Sequence, residues 1–131
     1  MQGRREARER ALELLYEAET KQTTCSAIVE ALPVAPDPYA TALATGVDAD
    51  LPAIDTLISD HATGWTLERM PAVDRAVLRM ATFELLHRPD VPVAVAISEA
   101  VELAQQFSTE ESGRYVNGLL GAVAKQTRPD G

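Results

Sequence analysis

The residues best suited to binding chemistry in this 131-residue chain are the arginines near its N-terminus. Arg4 and Arg8 are four positions apart, so a helix places them on one face with Arg5 beside them. Guanidinium groups clustered in this way can contact the phosphates of a nucleic acid. The same spacing is typical of a solvated helix end that pairs with Glu9 and Glu13, and it leaves both interpretations open.

A second candidate site lies near the C-terminus, where one stripe of a predicted helix carries small and basic residues: Arg114, Gly118, Gly121 and Lys125. Each interior glycine costs about 1 kcal/mol relative to alanine. That cost suggests a close approach to the backbone, either by another helix of the core or by a ligand. Tyr115 flanks the stripe at the margin of the apolar face, where its ring could stack on a base.

Asp74 is the third candidate. It begins a helix face that continues through Leu78, Ala81 and Leu85. Spacing alone is equally consistent with an acidic residue that stabilises a helix N-terminus.

Residues that commonly do catalysis or bind metals are few. His61, His87 and Cys25 are not at metal-ligand spacing, and no pair of acidic residues stands out for acid–base chemistry. The glycines near the C-terminus lie inside a helical pattern, whereas a phosphate-binding loop joins a strand to a helix. We therefore expect no enzyme activity, no catalytic residue, no metal and no cofactor.

Composition favours a small cytoplasmic protein that binds a partner. The net charge is −8, yet four arginines lie within the first ten residues, so a basic patch can exist on an acidic body. A single cysteine is typical of a reducing compartment. The N-terminus does not resemble a signal peptide, and no apolar run approaches the roughly 18 residues of a membrane span.

Hydrophobic periodicity predicts an all-α fold of about six to seven helices. The predicted helices cover about residues 4–21, 26–32, 39–62 with a break at Pro52, 71–86, 93–107, and a last helix that begins at Ser108. Ser108 and Glu111 have the spacing of a capping box. Prolines at 33, 36 and 38 suggest a hinge, and we expect two small helical subdomains, about residues 1–64 and 65–127, in a single domain.

Several strings together resemble the NusB family of bacterial transcription antitermination factors. They are Arg4-Arg5-Glu6-Ala7-Arg8 with Leu14-Leu15-Tyr16, the segment from Val73 to Ala81, Asp90-Val91-Pro92, the segment from Ala96 to Ala104, and Tyr115-Val116-Asn117-Gly118-Leu119-Leu120. Their order and spacing agree with the family over nearly the whole chain, while residues 25–64 match only in helical character. Ser98 replaces a common asparagine, and Gly121 replaces a larger polar residue.

The resemblance implies an all-α fold of two helical subdomains and a complex with NusE, which is also a protein of the small ribosomal subunit. It implies binding of the pair to boxA-type single-stranded RNA, notably in ribosomal RNA leaders, within the RNA polymerase antitermination complex. By position, it assigns RNA contacts to Arg4, Arg5, Arg8, Tyr16, Glu111, Arg114 and Tyr115. It assigns the partner contact to Asp74.

Two other functions fit the same pattern. A domain of this fold can serve an RNA-modifying enzyme, although a catalytic domain would then be expected after Gly131, where the chain stops. A structural dimerisation module would show no salt-dependent RNA binding. The sequence leaves open whether the chain forms a homodimer.

Overall fold

A computed structural model describes residues 3–131, which form seven α-helices, one short 3₁₀ turn and no strand within that range. The helices are α1 (Gly3–Thr20), α2 (Cys25–Ala31), α3 (Pro38–Ala49), α4 (Leu51–His61), α5 (Ala72–His87), α6 (Val93–Phe107) and α7 (Glu110–Thr127). The 3₁₀ turn, Leu67–Arg69, lies between α4 and α5. The prediction of an all-α fold with six to seven helices is confirmed.

Proline and capping residues explain how the middle of the chain is divided. Asp37 caps α3 by accepting a hydrogen bond from the backbone N–H of Tyr39 at 2.8 Å, and Pro38 suits the first turn that follows. The break between α3 and α4 falls at Asp50, while Pro52 lies in the first turn of α4. The predicted break was therefore two residues late.

The predicted capping box at the last helix was wrong by one residue. Thr109 is the N-cap of α7, and its hydroxyl accepts a hydrogen bond from the backbone N–H of Ser112 at 3.0 Å. Ser108 instead closes α6, since its N–H donates to the carbonyl of Ala104. Serine and threonine are both favoured N-cap residues, and Thr109 is the cap here although Ser112, and not a glutamate or glutamine, stands three positions after it.

Helix α5 lies at the centre of the core and contacts α1, α3, α4, α6 and α7. Its buried apolar side chains include Val77, Leu78 and Met80. The core is built mainly from small and aliphatic residues and is shared by helices from both halves of the chain. Within residues 3–131, no helix has the length and apolar character needed to cross a membrane.

Arg128 connects the end of α7 to the end of α5. Its guanidinium donates hydrogen bonds of 2.5–3.0 Å to four backbone carbonyls, those of Glu84, Leu85, Arg88 and Val91. The last carbonyls of a helix have no partner within the helix, so a cation at this position both neutralises and satisfies them. Arg128 therefore fixes the turn that joins α5 to α6.

We predict that Arg128→Ala lowers the free energy of unfolding by about 2–3 kcal/mol, because hydrogen bonds from a charged donor are lost together. Arg128→Lys should recover less than half of this loss, since an ammonium cannot span the same carbonyls. Denaturant unfolding measures both variants. The exposed Lys125→Ala is the control and should stay within about 0.5 kcal/mol of wild type. Equal stability of Arg128→Ala and the control would contradict this role.

Candidate nucleic-acid interface

The three arginines of the N-terminal cluster have different environments. Arg8 is buried, and its guanidinium lies 3.0 Å from the Glu84 carboxylate of α5, which is also buried. The hydroxyl of Tyr39 donates a hydrogen bond to the same carboxylate at 2.5 Å. Burial, followed by this hydrogen bond, raises the pKa of Tyr39 to about 12. In this conformation the guanidinium of Arg8 is covered, and its contact with phosphate stays a prediction.

Arg4 and Arg5 are exposed and are already paired with carboxylates. Arg4 lies 3.1 Å from Asp90, and Arg5 lies 2.9 Å from Glu99 and 2.5 Å from Glu102. The hydrogen bond to Glu102 raises the pKa of Arg5 above its usual value. These carboxylates belong to α6 and the turn before it. The alternative considered from the sequence had instead paired the arginines with Glu9 and Glu13 of α1. Exposed pairs of this kind contribute little to stability, so a phosphate can replace them.

An exposed stripe of α1 leads from Arg5 to Tyr16, about 16 Å along the helix axis. Tyr16 is 47% exposed and borders an apolar groove of about 250 Å³ that Phe107, itself 46% exposed, also lines. Leu12 and Val73 complete the apolar walls of the groove. Large exposed aromatic residues on one surface are typical of a binding site.

Ser108 and Thr109, which follow Phe107 in the chain, line a second hollow. This cleft of about 320 Å³ is lined by Trp65, Tyr115 and Glu111, among others. The rings of Trp65 and Tyr115 meet edge to face, with centroids 5.3 Å apart. Burial and the nearby charge of Asp74 raise the pKa of Tyr115. Tyr115 is therefore neither fully exposed nor a core residue, because its ring packs at the margin and helps to form the wall of the cleft.

Asp74 lies beneath this cleft and is completely buried. Its carboxylate accepts a hydrogen bond from the hydroxyl of Ser112 at 2.7 Å, and Ser112 is part of the cleft lining. A direct contact between Asp74 and a partner therefore requires the residues above it to move. The partner role of Asp74 stays a prediction.

Arg114 lies on the other side of Tyr115, where it lines a hollow of about 270 Å³ with His61 and Gly118. A Cβ atom added at Gly118 or Gly121 would meet nothing within 4 Å among residues 3–131. The expectation that another helix approaches these two glycines was therefore wrong. The alternative, in which a ligand approaches them, stays a prediction.

The described part of the chain has no group of three or more histidine, cysteine, aspartate or glutamate side chains arranged to hold a metal ion. The thiol of Cys25 is buried, and burial raises its pKa to about 12, so it is a poor nucleophile. The groups that this surface presents to solvent are guanidinium groups, carboxylates and aromatic rings.

Sequence reasoning missed several residues that complete these surfaces. Trp65 and Phe107 are exposed aromatic residues at helix junctions, where periodicity gives no information on exposure. Glu84 was not recognised either, because it is one of several polar residues in a largely apolar helix, α5. The only available signal was that a charged residue among core positions requires a partner of opposite charge.

Known proteins share the fold of this chain. The model of the NusB family matches residues 5–125. The chain is similar to the crystal structure of T. maritima NusB, with 39% sequence identity, a TM-score of 0.83, and coverage of 94% of this chain and 91% of that chain. It is also similar to the solution structure of NusB from Aquifex aeolicus, with 26% identity, a TM-score of 0.76, and coverage of 100% and 95%, respectively.

A third similar structure contains the antitermination factors NusB and NusE in complex with dsRNA. The matched chain has 25% identity and a TM-score of 0.77, and the match covers 96% of this chain and 98% of that chain.

We predict that Arg8→Ala destabilises the fold by about 3–5 kcal/mol, because it leaves the buried carboxylate of Glu84 without its charged partner. Arg5→Ala is the control on the same helix and should leave stability nearly unchanged, because exposed ion pairs contribute little. Chemical denaturation followed by circular dichroism measures both variants. Equal, small losses would show that the pair between Arg8 and Glu84 is open in solution.

We predict that Tyr115→Phe keeps the stability of wild type or slightly exceeds it, because the buried hydroxyl has no hydrogen-bond partner within residues 3–131. Tyr115→Ala should lose about 2–3 kcal/mol, less than for a fully buried ring, since the contact with Trp65 and the core margin is removed. Thermal melts measure both variants. A loss in Tyr115→Phe as large as that in Tyr115→Ala would mean that the hydroxyl, and not the ring, holds the site.

Proposed function

The chain belongs to the NusB family, and we propose that it binds boxA-type single-stranded RNA of nascent transcripts, notably ribosomal RNA leaders, as a heterodimer with NusE. Members of this family are RNA-binding factors and not enzymes. On this proposal the chain acts in the cytoplasm, where it joins the RNA polymerase antitermination complex and helps the polymerase resist termination.

One observation carries the proposal: exposed arginines lie at the start of α1 and exposed aromatic rings lie further along the same side of the molecule, with Glu9 and Glu13 between them at the edge of the groove. The surface starts at Arg5, runs along α1 to Tyr16 and Phe107, and continues to the cleft with Trp65 and Tyr115. Single-stranded nucleic acid is bound by cations that follow its backbone and by rings on which its bases stack. A structural dimerisation module would not need exposed cations and exposed rings on one side of the molecule.

The residues of this surface have separate roles in the proposal. Arg4 and Arg5 exchange their carboxylate partners for phosphates, and Arg8 positions α1 from below through Glu84. Tyr16 provides an exposed ring for stacking.

The residues around the second cleft divide the remaining roles. Tyr115 lines the cleft on one side and the hollow beside Arg114 on the other, so a base can reach its ring from either side. Arg114 supplies a charge, and Glu111 accepts hydrogen bonds from base amino groups at the mouth of the cleft.

A basic partner such as NusE would complement the acidic charge of this chain. A net charge of −8 opposes RNA binding and favours a basic partner, as ribosomal proteins usually are. A basic partner adds the positive charge that the chain lacks, so the pair should bind RNA more tightly than the chain alone. Asp74 lies beneath the cleft near Ser112, where it can set the register of NusE once the cleft opens.

The function is tested by titrating a boxA-type RNA in the presence and absence of NusE over a range of salt concentrations. We predict that NusE increases the affinity. We also predict that Arg4→Gln with Arg5→Gln lowers the slope of log affinity against log salt by about 1.4, since each single-strand phosphate contact contributes about 0.7. Tyr16→Ala should lose about 1–3 kcal/mol of binding energy.

Lys21→Gln is the matched control, because Lys21 is an exposed, ion-paired cation directly after the end of α1, 2.7 Å from Glu17. It should keep the wild-type slope. A salt-independent affinity of the wild-type pair, or no RNA binding with NusE present, would remove the proposed function. Equal slopes for the double variant and Lys21→Gln would remove only the arginines from the interface.

A further inference from the structure

We propose that Arg4 and Arg88, held against the ring of Tyr39, form a phosphate-binding site for RNA, and that Asp90 occupies this site when RNA is absent. The inference rests on the proposed function and adds one site to it. Arg88 and Asp90 lie at the turn between α5 and α6, outside every motif that the sequence had singled out for binding.

The ring of Tyr39 brings the two guanidinium groups together. The central carbon of the Arg4 guanidinium lies 4.2 Å from the ring centroid, and that of Arg88 lies 4.9 Å from it. Cations are attracted to an aromatic face within about 6 Å of its centroid, and arginine does so most often. Two exposed cations are thus held at one ring although they repel each other, and the buried guanidinium of Arg8 lies 5.9 Å from the same centroid.

The ring itself is fixed from below. The Tyr39 hydroxyl donates a hydrogen bond to Glu84, which is buried and held by Arg8. Tyr39 therefore cannot rotate away without breaking this partly buried hydrogen bond. A rigid platform lowers the entropic cost of placing two arginines around one anion.

Asp90 is the anion that the site holds now. Its carboxylate lies 3.1 Å from the Arg4 guanidinium and 3.3 Å from the guanidinium of Arg88. Hydrogen bonds from Arg4 and then Arg88 lower the pKa of Asp90, so it is ionised near neutral pH. Carboxylate and phosphate oxygens present similar acceptors to a guanidinium.

The exchange of Asp90 for a phosphate is easy because the site is open to solvent. The side chain of Asp90 is 52% exposed, and those of Arg4 and Arg88 are 46% and 31% exposed. Ion pairs with this exposure contribute little to stability, so their loss is a small barrier.

RNA is the ligand that this position favours. Arg4 and Arg5 are consecutive residues at the start of α1, so the site adjoins the proposed RNA surface. A backbone that runs along α1 would reach it with the next phosphate. An acidic protein segment is the competing ligand, and the experiment below separates the two.

The experiment measures affinity for two single-stranded RNA oligomers, one of boxA type and one of unrelated sequence, with the NusE complex at about 50–200 mM salt. Asp90→Asn should raise affinity for both RNAs about two- to fivefold, because the competing anion is removed. Arg88→Gln should lower affinity for both and reduce the salt slope by less than about 0.7, because Arg4 still contacts the same phosphate. Phosphate contacts carry no sequence information, so both RNAs should respond alike.

Two comparisons exclude a general charge effect. Glu30→Gln, the same change of charge at an exposed position of α2, should change affinity less than Asp90→Asn does. In a chain that already carries Arg4→Gln and Arg88→Gln, Asp90→Asn should give no gain. Thermal melts confirm that all variants are folded.

Several outcomes would overturn the inference while leaving the proposed function intact. One is a wild-type complex that binds RNA, with Asp90→Asn no tighter than Glu30→Gln. Another is a gain from Asp90→Asn that persists without Arg4 and Arg88. A third is a gain seen with polyglutamate and not with RNA, which would assign the site to an acidic protein. Absence of RNA binding by the wild-type complex would instead reject the proposed function and, with it, this site.

Discussion

The buried pair of Arg8 and Glu84 is the interaction on which the arrangement of this molecule depends. Removing two charges from water is costly, and the cost is offset only when further hydrogen bonds complete the pair. Here Tyr39 supplies the additional hydrogen bond. Because Arg8 lies on α1, Tyr39 on α3 and Glu84 on α5, one polar contact fixes three helices. The position of α1 in turn decides where its exposed arginines and Tyr16 lie.

Local patterns were sufficient to predict the helices, since apolar periodicity and proline positions act within a few residues. They were insufficient for the arginines. Arg4 and Arg8 share a face one turn apart, yet Arg8 is buried and Arg4 is half exposed. The difference arises because α1 crosses α5 at Glu84, 76 positions later in the chain. No spacing rule within α1 contains that information, so the arginines looked equivalent in the sequence.

The cleft lined by Trp65 and Tyr115 also depends on contacts between distant parts of the chain, which local patterns do not contain. Tyr115 was correctly placed at the margin of the core, because its neighbours on α7 define the apolar face. Its partner Trp65 follows α4 in a loop, and no periodicity extends there. Asp74 was predicted near a helix N-terminus, and it lies there, but its burial depends on Ser112 of α7. Sequence therefore placed single residues well and could not show which of them meet.

The carboxylates paired with Arg4 and Arg5 would also affect how strongly this chain prefers one RNA sequence over another. If each phosphate replaces a carboxylate that is already present, the number of ion pairs at Arg4 and Arg5 stays the same on binding. The exchange of one ion pair for another then adds little energy, and these arginines contribute to affinity mainly through the counterions that the phosphates release. On the proposed function, rings such as Tyr16 and Tyr115, on which bases would stack, would supply a larger share of the binding energy. Arginines that are already paired in an acidic chain would then leave discrimination between sequences to base contacts, while the positive charge of a partner would raise affinity for any RNA.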